Sequence, residues 1–179
     1  MATGSTLYTF DIDLADVDRG VYQTLNLRVA QHPSETPDFL LTRVLAYCLE
    51  YAEGISFSKG LSDPDEPAIA VRDLTGVLQT WVDIGLPEPA RLHRASKAAP
   101  QVAVYVHKDP TLWLQRLTEA KIHRAEHLQV QVLDRDWLAR LVGLLQRRMQ
   151  WSLSRSEGQI YLTLGNDTLE TAVQRRAVG

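Results

Sequence analysis

Two segments near the N-terminus show the alternation of apolar and polar residues that is typical of a half-buried β-strand. Residues 6–14 alternate imperfectly, and residues 22–29 repeat the pattern. The pattern predicts two antiparallel strands, joined by a turn within residues 15–20.

A helix is predicted over residues 37–53. Thr36 suits the N-cap position, and Pro37 suits the first helical position. Gly54 is a natural stop. The apolar stripe recurs at helical spacing and comprises Leu41, Val44, Leu45, Cys48, Leu49 and Ala52.

The centre of the chain contains two nearly continuous apolar runs, residues 77–84 and 101–107. Such runs are typical of strands that are buried on both faces of a sheet. Residues 89–99 between them have helix-forming composition. The order predicts a strand-helix-strand crossover and therefore a parallel pair of strands.

The rest of the chain is predicted to form shorter elements. These are strands over residues 55–60, 68–71, 128–133 and 169–173, helices over 110–120 and 137–146, and a hairpin with arms at 149–153 and 160–164. The pattern predicts one α+β domain over residues 1–179, with an α/β core in a mixed sheet, flanking helices and additional antiparallel strands.

The composition, with 45% hydrophobic and 23% charged residues, excludes a collagenous or largely disordered chain. No apolar run approaches the roughly 18 residues that span a bilayer. Residues 1–6 lack the basic-then-apolar order of a signal peptide, so we expect a cytoplasmic protein without a membrane partner. The single cysteine, Cys48, excludes an intramolecular disulfide and a thiolate zinc cage.

The net charge of −3 conceals an asymmetry between the two halves of the chain. Residues 1–90 carry five Lys or Arg against fourteen Asp or Glu, and residues 91–179 carry fourteen against eight. Fifteen of the nineteen basic residues are arginine, which binds phosphate and carboxylate in a bidentate manner. The asymmetry indicates either contact with nucleic acid or pairing of charges within the fold.

The acidic residues Asp65, Glu66 and Asp83 are the first candidates for chemistry. Asp83 lies within a strand of apolar residues, where an ionised carboxylate needs a partner. A carboxylate from the loop that contains Asp65 and Glu66 would complete a site for Mg²⁺ or Mn²⁺, which activates water in phosphodiester hydrolysis. The alternative is that Asp83 caps the following helix or pairs with Arg91 or Arg94.

Arg91, Arg94 and Lys97 are spaced three apart and share one side of the predicted helix. They direct positive charge toward the end of the Asp83 strand, or they form a solvated helix face. Glu35 stands at a helix start and either turns inward as a site acid or belongs to an ordinary strand exit. His123 and His127 have the i, i+4 spacing of a metal site, but a solvated connector is the stronger interpretation.

Several short sequence motifs, taken in order along the chain, resemble those of the YaeQ family of bacterial proteins. They are DVDRGVY, HPSET, LTRVLAY, FSKGL, DPDEP and WVDIGLP, followed by Arg91 and Arg94. The resemblance extends from about residue 6 to the C-terminal hairpin.

The resemblance implies a variant of the PD-(D/E)xK fold, which is the restriction-endonuclease-like fold. The first core helix would be residues 37–53, and Asp83 would be the acid of the acid-x-lysine motif. Asp65 or Glu66 would match the preceding acid. Gly85 stands where the lysine is expected, and Arg91, Arg94 or Lys97 would supply the cation instead.

Two functions follow as expectations. The first is a Mg²⁺- or Mn²⁺-dependent nuclease or phosphodiesterase acting on DNA or RNA, with Asp65 or Glu66 and Asp83 as metal ligands and Arg91 or Arg94 on the phosphate. The second is a non-catalytic module on a degenerate nuclease fold that binds nucleic acid or protein. A connection with transcription elongation has been proposed for the family, so a transcription-related protein is an expected partner.

Overall fold

The computed structural model describes residues 4–58 and 65–178. In chain order the strands are β1 (Thr6–Asp16), β2 (Val21–Gln31), β3 (Ile55–Phe57), β4 (Ile69–Arg72), β5 (Leu78–Ile84), β6 (Gln101–Val106), β7 (Gln129–Val132), β8 (Arg148–Ser156), β9 (Gln159–Leu164), β10 (Asp167–Ala172) and β11 (Gln174–Arg176). The helices are α1 (Pro37–Leu49), α2 (Pro89–Ala98), α3 (Thr111–Glu119) and α4 (Arg135–Gly143), and Ala125–His127 form a 3₁₀ turn.

The chain divides into two compact units: unit 1, Met1–Leu41 with Asp134–Val173, and unit 2, Thr42–Leu133 with Gln174–Gly179. The prediction of a single domain over the whole chain is not tested by this division and stays a prediction. Among the described residues, no helix has the length and apolar composition needed to span a membrane.

Unit 1 contains a mixed sheet in the order β10-β9-β8-β1-β2. The predicted pair β1 and β2 is antiparallel, and β1 is parallel to β8. The alternation in the sequence corresponds to alternating burial along both strands. Phe10 and the apolar residues that alternate with polar ones are buried, and the residues between them are exposed or partly exposed. Phe10 packs edge-on against Trp151 of β8, with ring centroids 5.1 Å apart. Asp134 caps α4 by accepting a hydrogen bond from the backbone N–H of Trp137.

Unit 2 contains a second mixed sheet in the order β11-β7-β6-β5-β4-β3. The strands β5, β6 and β7 are parallel, and α2 connects β5 to β6 as the predicted crossover. One face of this sheet packs on residues of α2 and α3. The buried side chains of that core are Trp81, Leu92, Ala95, Ala99, Val102, Val104, Val106, Trp113, Leu117, Ile122, Leu128, Val130 and Val178.

The α+β class and the crossover are confirmed, with two mixed sheets in the described residues where one was expected. The helix predicted over residues 37–53 ends at Leu49. Gly54 instead allows a close approach of β3 to β4: its φ is +90°, and a Cβ there would lie 1.9 Å from the carbonyl oxygen of Arg72. The pattern missed β11, since its three exposed polar residues carry no alternation. Parts of the predicted strand 55–60 and of the acidic loop lie outside the described residues.

Candidate functional site

Asp83 is the second-last residue of β5, at the carboxyl end of the parallel strands. Alternation along the strand puts Asp83 on the same face as Trp81, which belongs to the core beneath α2. Only 3% of Asp83 is exposed. Burying a carboxylate at this depth requires compensating hydrogen bonds or an opposite charge.

Arg91 of α2 provides that opposite charge. Its Nε lies 2.7 Å from one carboxylate oxygen of Asp83, and its Nη2 lies 3.0 Å from the other. The same Nη2 donates to the backbone carbonyl of Glu66 at 2.7 Å. The guanidinium carbon also lies 5.2 Å from the ring centroid of Trp81, within the range of a cation–π contact. The bidentate pair engages both oxygens of Asp83.

The turn between β5 and α2 brings Arg91 over the strand. Gly85 has φ of +92°, a conformation that favours glycine, and its N–H donates to the carbonyl of Tyr105 at 2.9 Å. The carbonyl of Pro87 accepts a hydrogen bond from the indole of Trp113 at 2.7 Å. Both ends of the turn are therefore held, and α2 begins at Pro89, only two residues before Arg91.

The structure brings together only part of the predicted acidic set. The side chains of Asp65 and Glu66 are exposed, and Glu66 reaches Arg91 through its backbone carbonyl. Glu35 belongs to unit 1, where its carboxylate accepts a hydrogen bond from the backbone N–H of His32 at 3.3 Å. The alternative in which Asp83 pairs with Arg91 is the one that the geometry shows.

The arrangement around Asp83 does not fit a divalent cation as it stands. Both carboxylate oxygens already face the guanidinium of Arg91, whose charge repels a metal ion. Within residues 4–58 and 65–178, no group of three or more His, Cys, Asp or Glu side chains could hold a metal. The metal site at Asp65, Glu66 and Asp83 stays a prediction.

The opposite face of the parallel strands carries a second polar group. Tyr105 is buried, and its hydroxyl donates to the carboxylate of Glu50 at 2.9 Å. His107 is also buried, and its Nε2 would lie 4.0 Å from a Cβ placed on Gly85. The alternation of Tyr105 and His107 with valines, over the end of β6 and the residue after it, was the available signal for this group.

The outer side of α2 is cationic. Arg94 and Lys97 are exposed, in contrast to Arg91, of which 24% is exposed. The segment 122–127 runs beside this helix: the backbone N–H of His123 donates to Nδ1 of His93 at 2.9 Å. Of the three cations that the sequence placed on one helix side, the structure turns one inward and two outward.

A shallow depression lies at the C-terminal end of α2. It is lined by Ser96, Ala99, Pro100, Val102, Arg124 and His127. Arg176 of β11 pairs with Val130, which packs in the core with α2, so Arg176 lies on the α2 face of the sheet. We call the exposed set Arg94, Lys97, Arg124 and Arg176 the basic surface.

Sequence reasoning missed Arg124 and Arg176, which no local pattern distinguishes from other exposed arginines. It interpreted His127 as part of a solvated connector. His127 is indeed exposed, with its Nε2 3.5 Å from the carboxylate of Glu126, and it also lines the depression.

Comparison with known proteins agrees with this architecture. The family model described as YaeQ protein matches residues 1–173. The uncharacterized protein YaeQ of Escherichia coli strain K12 is 31% identical over 173 residues, which cover 95% of this chain and 94% of that protein. The protein of the same name from Salmonella typhi is 31% identical over 172 residues, with the same coverage of both chains.

Two solved structures have the same fold. The YaeQ protein from Pseudomonas syringae superimposes with a TM-score of 0.89 at 31% identity, covering 96% of this chain and 95% of that chain. The YaeQ protein from Xanthomonas axonopodis pv. citri superimposes with a TM-score of 0.88 at 29% identity, covering 98% of this chain and 99% of that chain. The match extends over nearly the whole chain in sequence and in structure, and the chain therefore belongs to the YaeQ family.

Proposed function

We propose that this protein binds nucleic acid through the basic surface and does not hydrolyse it. The observation that carries the proposal is the division of cations on α2. Arg91 turns inward and neutralises Asp83, whereas Arg94 and Lys97 face solvent.

The inward arginine argues against hydrolysis. In a nuclease of the PD-(D/E)xK type, Asp83 would hold a metal, and a lysine would stand at position 85. Here Gly85 carries no side chain, and Arg91 is bound by Asp83, by the carbonyl of Glu66 and by the face of Trp81. Arginine does not readily act as a general base, so Arg91 cannot replace a lysine in that role.

The outward cations favour binding to a phosphate backbone. Each Lys or Arg that neutralises a phosphate releases condensed counterions, so binding weakens as salt rises. With four cations on the basic surface, the slope of log K against log salt should approach about −3 for a single strand. One acidic residue, Glu126, also lies beside this surface. Its carboxylate is 3.5 Å from Nε2 of His127.

The binding test is fluorescence anisotropy with labelled DNA and RNA oligonucleotides over a series of salt concentrations. The double variant Arg94→Ala/Lys97→Ala should make the salt slope less steep, by about 1.5 units. It should also weaken binding to all nucleic-acid sequences by a similar factor. Arg135→Ala/Arg140→Ala is the matched control, because it removes two exposed cations from α4 of unit 1. Absence of binding to every oligonucleotide would overturn the proposal, and so would binding that changes neither with salt nor in the α2 variant.

The catalytic test is calorimetric titration of Mg²⁺ and Mn²⁺ into the wild type and into Asp83→Ala, together with nucleic-acid cleavage assays. The proposal expects no metal binding that depends on Asp83 and no cleavage in either metal. Asp83→Asn, which keeps the shape of the side chain, serves if Asp83→Ala does not fold. Metal binding and metal-dependent cleavage that both vanish in these variants would overturn the proposal in favour of a nuclease that uses Asp83.

A further inference from the structure

We propose that two copies of this chain associate through β2, with the two β2 strands pairing antiparallel about a two-fold axis at Leu25. The pairing joins the unit 1 sheets of both copies into one continuous sheet. Association in this way does not depend on nucleic-acid binding. Two features of β2 support it: the outward backbone groups along its edge, and side chains that are complementary to those of a second β2.

β2 is the longest of the four strands that lie at sheet edges. The sheet of unit 1 ends at β10 and β2, and the sheet of unit 2 ends at β11 and β3. β2 has 11 residues, whereas β10 has 6 and β3 and β11 have 3 each. Short strands limit the pairing of an edge with another chain. β2 does not have that protection.

β2 also lacks the other features that commonly protect an edge strand, which are proline, lysine, multiple charges and bulges. It contains neither proline nor lysine, and Arg28 is its only charged residue. Its register with β1 is continuous over the whole strand. The side chains of Thr24 and Asn26 donate to the carboxylates of Asp13 and Asp11 on β1. They therefore lean toward β1 and leave the edge of the sheet accessible.

The direction of the backbone groups follows from the pairing of β1 with its two neighbours. The N–H of Thr9 donates to the carbonyl of Arg147, so the odd-numbered residues of β1 bond toward β8. Its even-numbered residues bond toward β2, and Phe10 is paired with Leu27. Hydrogen-bonded pairs alternate along an antiparallel ladder. The backbone groups that point away from the sheet therefore belong to the even-numbered residues of β2, which include Tyr22, Thr24, Asn26 and Arg28.

In the part of the chain that the structure describes, no strand pairs with this outer side of β2. Ala30, the next outward position, already takes part in another interaction. The run that is open to pairing therefore extends from Tyr22 to Arg28.

One antiparallel register pairs all four outward residues with the same four residues of a second copy. It places Tyr22 opposite Arg28 and Thr24 opposite Asn26, and each such pair exchanges two backbone hydrogen bonds. The two-fold axis then passes at Leu25, which lies beside Leu25 of the second copy. A contact of this kind uses the same surface on both copies and closes as a dimer.

The side chains favour a second copy over a peptide of unrelated sequence. In this register Arg28 faces the ring of Tyr22 of the second copy and does not face another cation. A guanidinium is attracted to the face of a tyrosine ring, and 61% of Tyr22 is exposed. The symmetry repeats the contact on the other side of the axis. Because the only charge on β2 does not meet itself, pairing of two copies involves no like-charge repulsion between the paired residues.

The first test is sedimentation equilibrium of the full-length protein over a dilution series, together with amide hydrogen exchange. The wild type should change from the mass of one chain to that of two as concentration rises. Exchange should slow with concentration in peptides that contain β2, and it should not change in those that contain β10. The proposal is overturned if the wild type stays monomeric up to its solubility limit, or if it dimerises without slower exchange in β2.

Thr24→Pro tests the backbone pairing. It removes one outward N–H, and an edge strand tolerates proline where that N–H faces solvent. The variant should remain folded and monomeric. Thr24→Ala is the matched control, because it also loses the hydroxyl that contacts Asp13 but keeps the N–H, and it should dimerise like the wild type. A folded Thr24→Pro that dimerises like Thr24→Ala would contradict the pairing.

A pair of exposed substitutions tests the register. Tyr22→Lys places a cation opposite Arg28, and Arg28→Glu removes the cation that faces Tyr22. Each should weaken dimerisation about tenfold, because the symmetry repeats the altered pair. The double variant places lysine opposite glutamate at both pairs and should recover most of the lost affinity.

The recovery is specific to contact between copies. Positions 22 and 28 of one strand are separated by about 20 Å, too far for their side chains to meet within one copy. Both residues are exposed, so these variants test the dimer even if Thr24→Pro does not fold. A double variant that dimerises no more tightly than either single variant would overturn the proposed pairing.

Discussion

Removing the side chain of Arg91 should destabilise the protein much more than removing that of Arg94, although both residues are on α2. Asp83 is 3% exposed, and Arg91→Ala would leave its carboxylate buried without an opposite charge. Removing one partner of a buried ion pair costs about 3–5 kcal/mol. Because 24% of Arg91 is exposed, water can enter the vacated space, and we expect the lower end of that range, about 3 kcal/mol.

The reciprocal variant, Asp83→Ala, should reduce the free energy of unfolding by less. Asp83→Ala removes the buried charge itself and leaves an arginine that can turn toward solvent, so about 1–2 kcal/mol is expected. The double variant Arg91→Ala/Asp83→Ala should be less destabilised than the sum of the single variants, with a coupling energy of about 1–3 kcal/mol. Arg94→Ala, which removes an exposed cation, should change the free energy of unfolding by less than about 0.5 kcal/mol.

The assay is urea denaturation followed by tryptophan fluorescence. Trp81 lies directly against the guanidinium of Arg91 and reports on unit 2. The reasoning would be refuted if Arg91→Ala lost no more stability than Arg94→Ala. Strict additivity of the two single variants would refute it equally, because it would mean that the observed pair contributes no interaction energy.

Three further predictions concern single positions. Gly54→Ala should destabilise the protein by at least about 2 kcal/mol in urea denaturation, since a Cβ would lie 1.9 Å from the carbonyl oxygen of Arg72. Cys48 should not react with thiol reagents in the folded protein, because complete burial raises the pKa of its thiol. Hydrogen bonds from the N–H of Gly158 and of the residue before it lower the pKa of Asp18. Stability from Asp18 is therefore present at neutral pH and lost as pH falls through that lowered pKa, so the urea midpoints of Asp18→Asn and wild type should converge in acid.

Each prediction has an outcome that contradicts it. Gly20 also has a positive φ, but nothing lies within 4 Å of its added Cβ, so a loss in Gly54→Ala no larger than in Gly20→Ala would contradict the first. Labelling of Cys48 at the rate measured in urea would contradict the second. A difference between Asp18→Asn and wild type that does not change with pH would contradict the third.

Periodicity alone was sufficient for most of the secondary structure. The alternation in β1 and β2, the stripe of α1 and the apolar runs of β5 and β6 reflect the regular geometry of the backbone, which imposes a period on every residue of an element. The crossover followed because two buried strands with a helix between them have one common arrangement. The element that sequence reasoning missed, β11, is short and wholly exposed, so burial imposes no pattern on it.

The sequence determined the candidate site only in part. From the sequence, Asp83 required a partner, because a carboxylate within an apolar strand cannot be left unpaired. Whether that partner was a metal or Arg91 depended on the turn at Gly85, which aims one cation of α2 inward. Helical spacing placed Arg91, Arg94 and Lys97 on one side of α2. It does not determine the distance of each side chain from the strand that carries Asp83.

The sequence by itself determined the α+β class, the order of the main elements and the family resemblance, because these depend on local periodicity and on short sequence motifs. Only the tertiary structure decided that Arg91 neutralises Asp83, that Arg124 lies beside the C-terminal end of α2, and that Arg176 lies on the same face of the sheet as Val130. These residues come from segments that are far apart in sequence. Their positions result from strand pairing and from packing of the core, which no pattern within a single segment encodes.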